Sequence, residues 1–265
     1  MFAPSTQRST GNRILSSLPH EEFAGLAPYL KMVELKKGEI VYLTGDDIQF
    51  IYFPENGLLS LVSITETGSS LEVAMVGNEG AVGLPVILRN YQIPYDVNVQ
   101  FTTVAYRIGA TALQEEFEKG KVLHEFVLRY LNLLIGQITQ SCICTRYHTL
   151  DETLRRWLLI VQDRVKSDIL DLTHEKIAEA LGVPRTAITK AAGDMQRKGL
   201  IRYSRGRIFI LDRAKLEADA CECYRIIRDQ LGEFLNTSCR CSDHAPSGSR
   251  QSLISNRQRD VKSLS

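Results

Sequence analysis

The sequence has little that would place it in a membrane or export it. None of its apolar runs reaches the roughly 18 to 20 residues of a membrane-spanning helix. Residues 1–11 are polar and lack the apolar core of a secretion signal. The chain has only six cysteines in 265 residues, and a chain of this length does not need disulfides to hold its fold. We therefore expect a cytoplasmic protein with reduced thiols and no membrane partner.

The usual motifs of enzyme chemistry are also missing. There is no nucleophile elbow, phosphate-binding loop, paired-histidine metal motif or dinucleotide glycine fingerprint. The five histidines lie at no motif spacing from a nucleophile or a carboxylate, so we interpret them as surface or capping residues. They are His20, His124, His148, His174 and His244. The sequence thus predicts a protein that is not an enzyme.

The charge is almost balanced overall but is unevenly distributed. Residues 1–118 carry 7 basic and 14 acidic side chains, whereas residues 119–265 carry 25 basic and 17 acidic ones. Within residues 183–207 there are seven basic side chains and a single acidic one. Such a local excess predicts that one part of the protein binds a polyanion.

The first half of the chain has the pattern of a β-domain. After two short helices near residues 12–18 and 20–30, short segments rich in Val, Ile, Tyr and Phe alternate with Gly, Asn and Asp. Close spacing of this kind favours an antiparallel barrel or sandwich over alternating βαβ units. The predicted strands are 32–36, 39–43, 49–53, 58–64, 71–76 and 97–108, the last with a break near Thr103.

A long helix is predicted to follow, between residues 110 and 147. Its apolar residues, among them Leu123, Val127 and Leu134, recur with helical period on more than one side. One face can pack on the β-domain, and the other needs a second partner. We expect that partner to be a second copy of the chain in a homodimer. Burial within one large monomer is the alternative.

The segment 173–193 has the pattern of a helix-turn-helix. Thr173 caps the first helix, Gly182 permits the tight turn, and Pro184 supplies a rigid start just inside the second helix. Inward-facing apolar residues, such as Ile177 and Ile188, recur on both helices. A turn at 205–207 between two short predicted strands is typical of a wing.

The outer, N-terminal half of the second helix would then lie in a major groove, where side chains reach base edges. We predict that bases are read by Arg185, Thr186, Thr189 and Lys190. We predict that phosphates are contacted by Thr173, Lys198, Arg205 and Arg207. An alternative is a helical hairpin that contacts another protein and whose basic residues are merely solvated.

This organisation resembles the Crp/Fnr family of bacterial transcription regulators over residues 12 to about 216. The resemblance is close in LTHEKIAEALGVPRTAITKAAGDMQRKGLIRYSRGRIFILD, and it extends to CTRYHTLDETLRRWLL and CECYRIIR. It implies an α+β fold with an N-terminal antiparallel β-roll of the cyclic-nucleotide-binding, jelly-roll kind, a long dimerisation helix and a C-terminal winged helix-turn-helix. It also implies a homodimer that binds a two-fold symmetric site in double-stranded DNA and contacts RNA polymerase.

On this basis we divide the chain into six parts. They are a flexible N-terminus (1–11), a β-roll sensor domain (12–118), a dimerisation helix (119–149), a winged helix-turn-helix (150–216), a C-terminal helix (217–235) and a disordered tail (236–265).

The sequence departs from the family pattern in the cassette that holds a cyclic nucleotide. In GAVGLPVILRNYQIPYDVNV, Gly83 is followed by Leu84 rather than a carboxylate, and Asp96 lies near the position of the phosphate-binding Arg. We therefore predict a branch without this cassette that does not depend on cAMP. Either the protein senses another small effector, or it senses none. Its pocket is predicted at Gly83, Leu84, Arg89, Val97, Leu123 and Val127.

Thr186 stands where well-known members of the family have a Glu, so their half-site sequence cannot be transferred.

The cysteines form three Cys-x-Cys pairs, at 142/144, 221/223 and 239/241. The first two pairs are predicted to lie in helices, where residues two apart point about 200° away from each other. Such pairs do not chelate one ion, so we predict no metal and no cofactor. Most of these thiols are interpreted as packing or tail residues. Redox sensing by Cys142, Cys144, Cys221 or Cys223, or metal binding in the tail with His244, stays open.

The leading hypothesis is thus a homodimeric, sequence-specific transcription regulator. The alternative is a small-molecule-binding or protein-interaction module whose winged helix contacts protein.

Overall fold

The computed structural model describes residues 10–236. Most of the N-terminal segment predicted to be flexible, and all but Asn236 of the tail predicted to be disordered, lie outside the described residues. Cys239, Cys241 and His244 also lie outside them.

The described chain begins with two short helices that close one end of the β-domain. They are α1 (Arg13–Ser16) and α2 (His20–Leu26), and a 3-10 turn (Ala27–Tyr29) follows. The Asn12 side chain accepts hydrogen bonds from the backbone N–H groups of Ile14 and Leu15, and it donates to the carbonyl oxygens of Pro54 and Gly80. One buried amide thus starts α1 and ties it to the β-domain.

Seven strands form the predicted β-roll. They are β1 (Lys31–Leu35), β2 (Ile40–Tyr42), β3 (Phe50–Pro54), β4 (Leu58–Ile64), β5 (Ser70–Val76), β6 (Asp96–Phe101) and β7 (Thr103–Gly109). They make two antiparallel sheets, in the orders β1-β7-β3 and β2-β6-β4-β5. Their facing apolar side chains build the first core, which includes Ile51, Phe53, Leu59 and Val97. The antiparallel β-domain predicted from the sequence is confirmed.

The helix predicted between residues 110 and 147 is divided in two. α3 (Ala110–Glu118) and α4 (Val122–Tyr147) are separated by Gly120, which has a left-handed φ of +68°. Buried residues of α4, including Phe126, Val127 and Tyr130, belong to the first core. The long helix therefore lies against the β-roll along one face.

The C-terminal domain follows as a winged helix. It contains α5 (Leu150–Val165), β8 (Ile169–Leu170), α6 (His174–Leu181), α7 (Arg185–Arg197), β9 (Ile201–Ser204) and β10 (Arg207–Ile210), with the strands in the order β8-β10-β9. A capping box between Thr149 and Glu152 starts α5. A second core, centred on the fully buried Trp157, holds these elements together.

The C-terminal helix predicted over residues 217–235 is interrupted near its start. The chain forms α8 (Arg213–Ala218), a turn, and α9 (Glu222–Asn236), because α8 packs on α5 while α9 packs on both α4 and α5. Cys221 lies in the turn and Cys223 in the first turn of α9, so their relative direction is not set by helical geometry. By contrast, Cys144 is buried and Cys142 is exposed on α4, as two residues of one helix should be.

Polar side chains connect the winged helix to the β-roll. Trp157 Nε1 on α5 donates to Glu72 Oε1 on β5 at 2.7 Å, and Arg164 Nε on α5 donates to Glu79 Oε1 at 2.8 Å. Ser70 Oγ on β5 donates to the carbonyl oxygen of Glu179 on α6 at 3.1 Å. The helix-turn-helix is therefore docked on the β4–β5 side of the roll.

Between residues 10 and 236, the helices include none with the length and apolar character that crossing a membrane requires.

Candidate nucleic-acid interface

The tight turn between α6 and α7 is built from local sequence signals. The Thr173 hydroxyl accepts a hydrogen bond from the Lys176 N–H at 3.2 Å and so caps the start of α6. Gly182 ends α6 with a left-handed φ of +64°, and its N–H bonds to the Ala178 carbonyl. Pro184 is the N-cap residue of α7, so the helix begins one residue later than the sequence predicts. The two helices of the predicted motif are therefore present in the structure.

α7 has one buried and one exposed face. Ile188, Ala191, Ala192 and Met195 are buried in the second core. On the opposite face, all four predicted base-reading residues are exposed, namely Arg185, Thr186, Thr189 and Lys190. The structure thus places these four side chains on one surface at the N-terminal half of the helix. Their role as base readers stays a prediction.

The charged members of this surface are little restrained. Arg185 Nε lies 3.6 Å from Glu175 Oε2, and both side chains are largely exposed. An exposed pair at this distance contributes little to stability, so the guanidinium is available to another partner. Lys190 forms no ion pair with any residue of the described chain. Both cations can therefore reach an external ligand without breaking a buried contact.

Thr189 is held by His174, a histidine interpreted from the sequence as a surface or capping residue. His174 Nδ1 lies 3.1 Å from Thr189 Oγ1, and the same hydroxyl donates to the Arg185 carbonyl oxygen at 3.0 Å. The His174 ring stacks on Tyr203 of the wing, with centroids 3.9 Å apart. Burial, and then the nearby charge of Arg185, lower the pKa of His174. A neutral His174 therefore joins α6, α7 and β9. In the sequence, the only signal for this role of His174 is its position directly after the cap residue Thr173.

The wing is a two-residue hairpin. Arg205 and Gly206 have φ values of +50° and +75°, as the inner residues of a type I′ turn require. Arg207 pairs with Ser204 across the hairpin. A Cβ on Gly206 would lie 3.5 Å from Thr173 Cγ2, so the wing tip packs beside the start of α6.

Because of this packing, three of the four residues predicted to contact phosphates lie close together. They are Thr173, Arg205 and Arg207, and all three are exposed. Lys198 is also exposed, but it follows the C-terminal end of α7. A helix of 13 residues is about 20 Å long, so Lys198 is distant from the base-reading residues.

The predicted effector residues do not form an exposed surface. Leu84, Val97, Leu123 and Val127 are buried in the first core. Gly83 has a φ of +89°, and a Cβ there would lie 2.6 Å from the Phe50 carbonyl oxygen. Arg89 is exposed and pairs with Glu118 at 3.0 Å. In this conformation, four of the six are core residues, and the pocket stays a prediction.

A cleft of about 500 Å³ lies between the β-roll and α6, and both polar and apolar side chains line it. Glu72 is part of this lining and is buried, and burial raises its pKa to about 7 despite hydrogen bonds from Ser60 and Trp157. Asp96, also buried here, accepts hydrogen bonds from the Thr44 N–H and hydroxyl at 2.8 Å. Glu72 is not among the residues predicted from the sequence, where its only signal is that it is an acidic residue within an apolar strand.

Two family models match the chain. A Crp-like helix-turn-helix domain matches residues 153–219, and a cyclic nucleotide-binding domain matches residues 32–119. The prediction of a branch without the cyclic-nucleotide cassette is wrong, because the second match spans the whole segment between β5 and β6. The segment keeps a 3-10 turn (Leu84–Leu88) that starts at the left-handed Gly83. The unexpected residues Leu84 and Asp96 therefore do not show that the cassette is lost.

Curated relatives of similar length are named as regulators. The global nitrogen regulator of Synechococcus elongatus is 25% identical over 197 residues, which cover 69% of this chain and 86% of the relative. The transcriptional regulator LdrP of Thermus thermophilus is 26% identical over 208 residues, which cover 71% of this chain and 96% of the relative.

A solved structure shares the fold. A transcriptional regulator of the CRP/FNR family from Thermus thermophilus superimposes with a TM-score of 0.58 at 20% identity, covering 72% of this chain and 98% of that one. At this level of identity the likeness concerns the fold alone.

Proposed function

The chain belongs to the Crp/Fnr family of DNA-binding transcription regulators, and from that membership we propose that it binds a two-fold symmetric DNA site as a homodimer. In this proposal α7 lies in the major groove and the wing contacts the adjacent backbone. Arg185, Thr186, Thr189 and Lys190 read bases. Thr173, Lys198, Arg205 and Arg207 hold phosphates.

One observation carries the assignment of α7 as the reading helix. The helix buries its apolar face completely, while Arg185, Thr186 and Lys190 stay exposed on the other face. The exposed arginines of the wing, Arg205 and Arg207, lie on the same domain. A basic surface at the exposed N-terminal half of α7 suits a groove lined by phosphates.

The dimer is supported by the uncovered face of α4. Leu128 and Ile135 are 44% and 63% exposed. They are seven residues apart, the repeat with which two helices pair in a coiled coil. Leu131 and Ile138 lie between and beyond them and are only partly buried. A second copy of α4 would cover this stripe and set two copies of α7 on one side of the dimer.

The first test selects binding sites from random duplex DNA with purified full-length protein. Affinity for the selected site and for random DNA is then measured by fluorescence anisotropy across a salt series. We expect a palindromic site whose affinity falls steeply as salt rises. If no sequence is enriched and no salt-dependent binding occurs with or without added cyclic nucleotides, the alternative of a winged helix that contacts protein is favoured.

Two substitutions distinguish residues that read bases from residues that contact phosphates. Lys190→Ala should lower affinity for the selected site more than for random DNA, by the roughly 1–3 kcal/mol of a base contact. Arg207→Ala should weaken all sequences alike and reduce the salt slope by about one. Arg225→Ala, an exposed arginine on α9 outside the proposed interface, is the control. Equal loss on both DNAs from Lys190→Ala would contradict its assignment.

The dimer interface has its own test. Ile135→Glu places a charge in the proposed seam and should convert the dimer to a monomer in multi-angle light scattering. Leu88→Glu, at an equally exposed leucine of the β-roll, is the matched control and should leave the mass unchanged. A dimer that persists in Ile135→Glu would refute this interface.

The proposal places the protein in the bacterial cytoplasm, because that is where its DNA target lies. It further includes contact of the DNA-bound dimer with RNA polymerase and control by a small effector that enters the β-roll. Transcription in vitro from a promoter with the selected site, with and without cyclic nucleotides, tests both and distinguishes activation from repression.

A further inference from the structure

Four potential metal ligands meet where the long helix joins the DNA-binding domain. They are Cys144 near the end of α4, His148 just after α4, Cys221 in the turn before α9, and Cys223 in its first turn. One donor atom from each lies within 4.8 Å of the other three. The three cysteines are at most 6% exposed, and they pack on one another as a separate cluster.

The local chain geometry explains why these residues converge. Cys144 and His148 are four residues apart, which is about one helical turn, so both lie on the same side at the end of α4. The break between α8 and α9 turns Cys221 back toward α4, and α9 then runs along α4. Thus two ligands come from each of two segments about 75 residues apart in sequence.

Two distances between donor atoms agree with the edges of a tetrahedral zinc site. Cys144 Sγ lies 3.7 Å from Cys221 Sγ, and Cys223 Sγ lies 3.6 Å from His148 Nδ1. With Zn–S near 2.3 Å and Zn–N near 2.0–2.1 Å, a tetrahedron has S–S edges of about 3.8 Å and S–N edges of about 3.6 Å. Two of the six donor–donor distances therefore match the edges of such a site, and the other pairs lie within 4.8 Å.

The surroundings also resemble those of a metal site. His148 Nε2 lies 3.3 Å from Glu222 Oε2, and in metal centres a carboxylate commonly orients a ligating histidine through its other nitrogen. Thr153 Oγ1 lies 3.4 Å from Cys144 Sγ. Arg156 lies close enough to Cys144 for the two charges to interact. Arg156 is itself buried and would offset the net negative charge of three thiolates and one Zn²⁺.

We propose that Cys144, His148, Cys221 and Cys223 form a structural Cys₃His zinc site that fastens α9 and the start of the DNA-binding domain to the long helix. Four protein ligands close the coordination shell, as in structural rather than catalytic zinc sites. The site fixes how α5, and with it the winged helix, leaves α4. The proposed zinc site does not depend on whether α7 reads DNA.

The test measures metal in the full-length chain. Protein is prepared under reducing, oxygen-free conditions, loaded with Zn²⁺ and freed of excess metal. Its zinc content is then measured by inductively coupled plasma mass spectrometry. We expect one zinc per chain in the native sequence and at least a tenfold lower content in Cys144→Ser and Cys223→Ser. Cys142→Ser, two residues away but exposed, should keep its zinc, and so should the tail variant Cys239→Ser/Cys241→Ser.

A second measurement covers the case in which the ligand variants fail to fold. Co²⁺ added to the reduced native protein should give the intense thiolate-to-metal absorption and the visible bands of a tetrahedral site, and so should Co²⁺ added to Cys142→Ser. Glu222→Gln keeps all four ligands and should weaken Zn²⁺ binding about tenfold.

Three results would overturn the proposal. The native chain could retain no zinc and show no tetrahedral cobalt spectrum. Zinc could be lost only in the tail variant, which would place the metal outside this cluster. Protein isolated from cells with a reducing cytoplasm could be alkylated and its peptides mapped by mass spectrometry, and the map could show a Cys144–Cys221 disulfide in place of free thiolates.

Discussion

Replacing Arg164 by Met is expected to destabilise the protein by about 3–5 kcal/mol. Arg164 Nε and Glu79 Oε1 are 2.8 Å apart, and each side chain is only 5% exposed. They join α5 of the DNA-binding domain to the loop after β5 of the β-roll. Without the guanidinium, the Glu79 carboxylate would remain buried with no cation, and that desolvation cost is the main source of the loss.

The double variant Arg164→Met/Glu79→Met isolates the cause. Because it buries two apolar side chains instead of one unpaired charge, it should lose much less stability than Arg164→Met alone. Urea unfolding at one fixed protein concentration measures each variant, and the fluorescence of the single tryptophan, Trp157, reports on the same interface. Arg225→Met, at an exposed position on α9, controls for loss of an arginine as such.

A loss of less than about 1 kcal/mol from Arg164→Met, the value of a surface pair, would refute the buried ion pair as the cause. The single variant Glu79→Met is measured as well, and a double variant that loses the sum of the two single losses would show that the two residues act independently.

Three further predictions concern stability and use the same urea assay. Burial raises the pKa of Glu72 from 4.5 to about 7, so the folded state keeps this proton to higher pH than the unfolded state does. Stability should therefore fall by up to about 3 kcal/mol between pH 4.5 and 7 and level off above, and Glu72→Gln should remove this part of the pH profile. Profiles that stay parallel would contradict the assignment. Gly80→Ala would place a Cβ 2.0 Å from the Tyr130 ring and should cost about 3 kcal/mol, whereas Gly232→Ala, with open space around it, should be neutral or stabilising. A near-zero effect at Gly80 would mean that Tyr130 moves freely. Thr149→Ala removes the capping box of α5 and should cost about 1 kcal/mol, and an unchanged midpoint would show that the cap is redundant.

Features decided by neighbouring residues were predictable from the sequence. The left-handed Gly182 and the apolar period of α6 and α7 are local, so the helix-turn-helix could be identified without the structure. The same holds for the β-strands, which are short segments rich in Val, Ile, Tyr and Phe between Gly, Asn and Asp residues. Propensity could not place the ends of α8 and α9. No Gly or Pro marks the break between them, and the two helices pack on different partners, α8 on α5 and α9 mainly on α4.

The order of the β-roll, the long helix and the winged helix, together with the basic face of α7, follows from the amino-acid sequence alone. Which distant groups meet depends on how the chain folds in three dimensions. Glu72 with Trp157 and Glu79 with Arg164 are both 85 residues apart, and Cys144 and Cys221 are 77 apart. Short-range periodicity carries no information on such pairs, because burial of the two cores and the docking of α5 and α9 bring them together.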